Sequence, residues 1–87
     1  MKLYHWWPGR EWAGPCPIPS DIIEHAITMK RRYLTFARAT LTDDPTAYIF
    51  AIAECSRKDV PNKKLGRHIA IERLKRVRDE WCPGMDL

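Results

Sequence analysis

The chain has 87 residues, 15 Lys and Arg against 11 Asp and Glu, and a formal net charge of +4. That length makes one small domain with a modest core, expected as a monomer supported by a partner or as a small homo-oligomer. Four Trp, three Tyr and two Phe supply enough apolar bulk to exclude a disordered chain. Cys16, Cys55 and Cys82 leave one thiol over in any pairing and show neither a CxxC nor a close Cys/His pair. The expectation is a reduced intracellular protein with no metal and no cofactor.

The chain opens MKLYHWWPG, with no apolar run long enough for a signal peptide or a membrane-spanning helix. A soluble protein of the cytoplasm, without membrane contact, is expected. Residues 1–19 form a Trp/Pro-rich arm: prolines at 8, 15, 17 and 19 and glycines at 9 and 14 break regular structure, apart from a short strand open to residues 2–6. PSDIIEHAITMKRR follows, where Ile22, Ile23, Ala26 and Ile27 keep a helical period and Asp21 and Glu24 read as a D-x-x-E capping box. The spacing predicts a helix over 21–31, with Lys30, Arg31 and Arg32 at its carbonyl end.

YLTFARATL alternates two faces, and AYIFAIAECS is similar though more apolar. The turn residues TDDPT between them predict a β-hairpin with strands over 33–41 and 47–55. A competing reading takes Asp44 as N-cap and Pro45 as the first residue of a helix running through PTAYIFAIAE. The last element is a helix over 62–80, in which Gly66, Ala70, Leu74, Val77 and Trp81 share one stripe between Ile69 and Ile71. Gly66 weakens that helix unless the helix approaches the sheet closely. Together these elements predict an α+β fold in one domain over 1–87: helix, β-hairpin or three strands, and a C-terminal basic amphipathic helix.

Charge is concentrated in one place. Residues 1–56 are balanced, whereas 57–78 hold nine bases against Asp59 and Glu72. Glu72 can pair with Arg76 four residues on, but two acids cannot neutralise nine cations. With Asn62 as N-cap, Lys63 and Lys64 stand at the positive end of the helix dipole, a poor arrangement unless an anion is near. Arg73, at the edge of the apolar stripe, requires an acceptor, for which Asp59, Glu54 and Asp43 are candidates. The candidate contact residues for a partner or nucleic acid are Arg57, Lys58, Lys63, Lys64, Arg67, Lys75, Arg76 and Arg78. Trp6, Trp7 and Trp12 of the arm join them, because Trp both anchors protein interfaces and stacks on bases. The plainer alternative is that the cations are only hydrated and the Trp side chains only complete the core. His25, His68 and Cys55 stand singly, with no nucleophile–base arrangement or phosphate loop, so a non-enzymatic protein is expected.

The run C-S-x-K-D followed by G-R-x-I-A-x-x-R-L, carried here by Cys55, Ser56, Lys58, Asp59, Gly66, Arg67, Ile69, Ala70, Arg73 and Leu74, resembles a pattern in small accessory proteins of tailed phages and prophages. Pro61 stands where those proteins often carry an aromatic residue. The resemblance implies a phage-type accessory protein that binds and modulates a host protein or nucleoprotein complex in the bacterial cytoplasm, such as a nuclease or an RNA-guided defence complex. Direct nucleic-acid binding through the basic helix is the alternative. No catalytic residue follows from it.

Overall fold

The computed structural model describes residues 1–41, 43–44, 46–55 and 62–87. Its elements are β1 (Lys2–Trp6), α1 (Ser20–Thr28), β2 (Tyr33–Thr40), β3 (Tyr48–Cys55) and α2 (Lys63–Trp81). The strands make one antiparallel sheet in the order β1-β2-β3. This is the expected α+β fold, with residues 2–6 as the third strand. Residues 48–55 are extended, so the helix competing for that segment does not form. Alternation explains why: pairing on β2 buries alternate residues on each face, which an apolar run of this length satisfies best as a strand.

The two faces of the sheet differ in size of side chain. Leu34, Phe36, Trp6, Ile18 and Ala26 form one cluster, with Tyr4, Trp12, Ile22, Ile23, Tyr48 and Ile52 packed around it, so α1 and the arm lie on this bulky face. Arg38 sits over the Tyr48 ring at 4.7 Å beside Phe50, at the half of the face that leaves Phe50 exposed. The other face is made of Ala37, Ala39, Ala51 and Ala53, and α2 seats Ala70 and Leu74 on it. Small residues on both surfaces let the helix sit close to the strands. A Cβ added to Gly66 would lie 2.7 Å from Thr35 Oγ1, which is why that glycine is tolerated inside a helix.

Helix ends show where local chemistry and expectation part. Asn62 caps α2 by accepting from Leu65 N at 3.0 Å. α1 begins one residue earlier than predicted, with Pro19 at the cap position and no side-chain cap, so the D-x-x-E box over Asp21 and Glu24 does not operate. Its first N–H groups bond instead to Pro19 O, from Ile22 and Ile23. The other end closes with Lys30 N to Ile27 O and Arg31 N to Ala26 O, a Schellman motif in which Lys30 takes φ 54° at the position glycine favours. Lys30 and Arg31 therefore lie beyond the helix, and Arg31 forms an ion pair with Glu54 of β3, Nε to Oε2 at 2.7 Å, without hydrogen-bond alignment. The hairpin turn is organised by Asp44, whose Oδ1 accepts from Thr46 N and Oγ1.

Each edge strand gives a carbonyl to an arginine. Arg73 Nη1 donates to Ile52 O of β3 at 2.8 Å, so its acceptor is a backbone carbonyl rather than Glu54 or Asp43; Asp59 lies outside the described residues. Arg10 Nη1 donates to His5 O of β1. A charged side chain laid on an edge discourages pairing with another chain.

Gly66→Ala tests the close seat of α2. The helical preference for Ala offers up to about 1 kcal/mol, but the new methyl must displace the buried Thr35 hydroxyl, and overpacking of this kind costs about 1–3 kcal/mol. Urea unfolding is expected to show a net loss for Gly66→Ala that Gly66→Ala with Thr35→Ala largely recovers. A gain in stability for the single variant would contradict the seat.

Candidate functional site

Odd-numbered residues of β1 face the same side as α2, because Leu3, His5 and, just past the strand, Trp7 alternate with Tyr4 and Trp6. His5 stands opposite Thr35, and its Nδ1 lies 3.2 Å from Thr35 Oγ1. Tyr33, one row further, has its ring 5.5 Å from that of His5 and 6.2 Å from that of Trp7, the latter pair within 8° of parallel. The result is an aromatic row, His5–Tyr33–Trp7, at one end of the sheet. Trp7 is 41% exposed.

The arm folds back to supply a cation. Trp7-Pro8-Gly9-Arg10 is a turn closed by Arg10 N to Trp7 O at 3.0 Å, with Gly9 at φ 86°, the conformation a proline–glycine pair provides. Arg10 then places its guanidinium 3.7 Å from the Trp12 ring centre and 4.8 Å from that of Trp7. A guanidinium so placed gains cation–π attraction from both rings.

The helix supplies the rest. Since Ile69 lies beside Ala53 and Cys55 and Arg73 reaches β3, these residues mark the flank of α2 turned toward β3. At 3.6 residues per turn the opposite flank carries Lys64, Arg67, Ile71, Lys75 and Arg78, which spans about 21 Å along the axis. Lys63 sits at the helix start. Lys75 pairs with Glu72 at 3.3 Å and Arg78 with Asp79 at 3.1 Å, both on exposed surface where such pairs are weak. Glu72 thus takes Lys75 three residues on rather than Arg76. Lys63, Lys64, Arg67 and Arg76 have no ion pair with a carboxylate among the described residues.

His5 registers this field. Its pKa is lowered from the ordinary 6.5, first by burial and then by the positive charges of Lys63, Arg67 and Arg10. The Tyr33 hydroxyl is buried without a hydrogen-bond partner among the described residues, and its pKa is raised by that burial, against the opposing pull of Arg10. Positive charge from the arm and from α2 thus converges on one aromatic row.

The residues singled out in the sequence divide accordingly. Trp7, Lys63 and Arg67 come together at the row, and Lys64, Lys75 and Arg78 continue the flank. Arg76 points to the other side of the helix. Trp6, at 4% exposure, is a core residue and not a surface contact, because β1 turns it into the bulky cluster. Trp12 is half-buried under Arg10. Arg57 and Lys58 lie outside the described residues. Trp81, counted on the buried stripe, is 76% exposed because it lies at the end of α2. His5, Arg10 and Tyr33 were not singled out; the strand alternation of residues 2–6 and the Pro-Gly turn ahead of Arg10 were the signals that point to two of them.

Among the described residues no group of three or more His, Cys, Asp and Glu is placed to hold a metal ion, and no helix is long and apolar enough to cross a membrane. Comparison of the chain with protein-family models, with curated proteins and with solved structures finds no match.

The charge at His5 has a measurable consequence. As pH falls below 6.5 the unfolded chain takes up a proton that His5 in the fold resists, so the fold loses stability through the window between its lowered pKa and 6.5. An NMR titration of the His5 ring is expected to give a midpoint below 6.5, moving upward when Lys63 and Arg67 are both changed to Gln. A midpoint at or above 6.5, or one indifferent to the two substitutions, would show that the charges do not converge there.

Proposed function

We propose that this chain is a non-enzymatic binding protein that docks on an anionic macromolecular surface through the β1-facing flank of α2. The observation that carries the reading is the charge of Lys63, Lys64 and Arg67, which have no carboxylate partner among the described residues, held on a helix whose other face is fixed to the sheet by Gly66, Ala70 and Leu74. Cations grouped without carboxylate partners repel one another, a cost that an acidic or phosphate-bearing partner removes. The rigid seat also lowers the ordering cost of binding.

The phage-accessory resemblance in the C-S-x-K-D and G-R-x-I-A-x-x-R-L segments gives the partner its class: a host protein or nucleoprotein complex of the bacterial cytoplasm, whose action the chain modulates by occupying its surface. Gly66, Ala70 and Leu74 of that segment serve packing. Arg67 alone among its helical residues stands at the aromatic row, while Arg73 is spent on the sheet edge. The conjunction of packing glycine and following arginine, G-R, is therefore what couples the fold to the docking flank.

Affinity capture from a nuclease-treated bacterial lysate tests the reading, with Lys64→Glu combined with Arg67→Glu as the comparison. A host protein retained by the native chain and lost by at least about tenfold with the charge-reversed one is expected, since each like-charge contact costs on the order of 1 kcal/mol or more. Retention unchanged by the reversal, or no retention, would contradict it.

A further inference from the structure

We infer that the aromatic row beside the start of α2 is a binding site for single-stranded nucleic acid, with a base stacked on Trp7 and phosphates held by Lys63, Arg67 and Arg10. The inference rests on the docking role of the α2 flank and names the part of an anionic partner that this end of the flank receives.

Three features of the site select that ligand over an acidic protein surface. The first is planarity. Trp7 lies nearly parallel to Tyr33, which is 9% exposed and fixed in the sheet, so the indole is held in one orientation. Tyr33 and Arg10 each take part of the indole, and 41% of Trp7 stays open. An exposed, pre-oriented ring is a stacking surface for any base.

The second is the placing of charge on more than one side of the ring. Arg10 comes from the arm and is tied to the edge of β1 by its bond to His5 O, while Lys63 and Arg67 come from α2 across the row. A strand with a phosphate on either side of each base meets cations before and after the stacked position. Beyond the row, Lys64, Lys75 and Arg78 continue the positive track along the helix, the form in which single-strand sites follow a backbone.

The third is the continuity of the row. The His5 ring lies 5.5 Å from that of Tyr33, and its Nδ1 is held 3.2 Å from Thr35 Oγ1, so the rings behind Trp7 are fixed in place. A duplex cannot use this arrangement, because its bases are stacked on each other and out of reach of a surface ring. An unpaired stretch can.

Fluorescence anisotropy with a labelled oligothymidylate of about twelve nucleotides, a length typical of single-strand sites, tests the site against a duplex of equal length at low and moderate salt. The single strand is expected to bind at least about tenfold more tightly than the duplex. Trp7→Ala is expected to weaken it at least about fivefold, the lower end of one base–aromatic stack, and Trp7→Phe, which keeps a ring, to recover most of that loss. Lys63→Gln with Arg67→Gln is expected to flatten the salt dependence by roughly one to two phosphate contacts. No binding of the oligothymidylate by a chain whose circular dichroism is native would overturn the inference. So would equal binding of duplex and single strand with Trp7→Ala indistinguishable from the native chain. In either case capture of a host protein that depends on Lys64 and Arg67 would leave the docking role standing, so the two failures are told apart.

Discussion

The close approach of α2 to the sheet is the constraint on which the other features depend. It exists because position 66 has no side chain, because Thr35 beneath it is small, and because Ala37, Ala39, Ala51, Ala53 and Ala70 line the contact. A larger residue at any of these places would lift or tilt the helix. With the helix down, Lys63 and Arg67 are brought within electrostatic reach of His5 on a strand two positions away in the sheet. The same seat turns Arg73 onto the carbonyl of Ile52. The missing side chain at one glycine thus sets the position of the charge.

The bulky face answers a different need. In so short a chain the buried area must come from few residues, and Phe36, Leu34 and Trp6 provide it where α1 and the arm cover them. This is why the arm is not a loose appendage: Ile18 is 2% exposed and anchors its far end, while Trp12 packs at the rim of the same cluster. Between these two uses of its side chains the arm leaves Trp7 outside, on the α2 side of the sheet. A core on one face and an aromatic row on the other come from the simple alternation of Trp6 and Trp7.

Much of the fold was legible because periodicity reports burial directly. α2 has a long amphipathic repeat and a recognisable cap in Asn62, and it forms within one residue of the predicted range at either end. The hairpin was legible from alternation and from turn residues. Features set by partners distant in sequence were not. Nothing local distinguishes Trp6, which is buried, from Trp7, which is not, and the meeting of Arg10 with the Trp7 and Trp12 rings depends on a turn of the arm. The end of α1 was missed for a related reason: Lys30 occupies a left-handed position that sequence reading reserves for Gly or Asn. For the site, the excess of cations was plain in the sequence, but its focus on β1 needed the packing of α2. Arg76 was grouped with the others by charge alone, whereas helical geometry separates it from them.

Positive charge held in place by packing, without a carboxylate partner among the described residues at Lys63, Lys64 and Arg67, has a thermodynamic signature of its own. Salt screens repulsion between surface charges, so a fold that crowds cations gains stability as ionic strength rises, whereas one held by ion pairs loses it. The direct measurement is the thermal midpoint of the chain in dilute buffer and in sodium chloride up to about 0.15 M, where the Debye length has fallen to about 8 Å. The midpoint is expected to rise with salt, and the rise to shrink when Lys63 and Arg67 are replaced by Gln. A midpoint that falls with salt, or a rise that survives the two replacements unchanged, would contradict it.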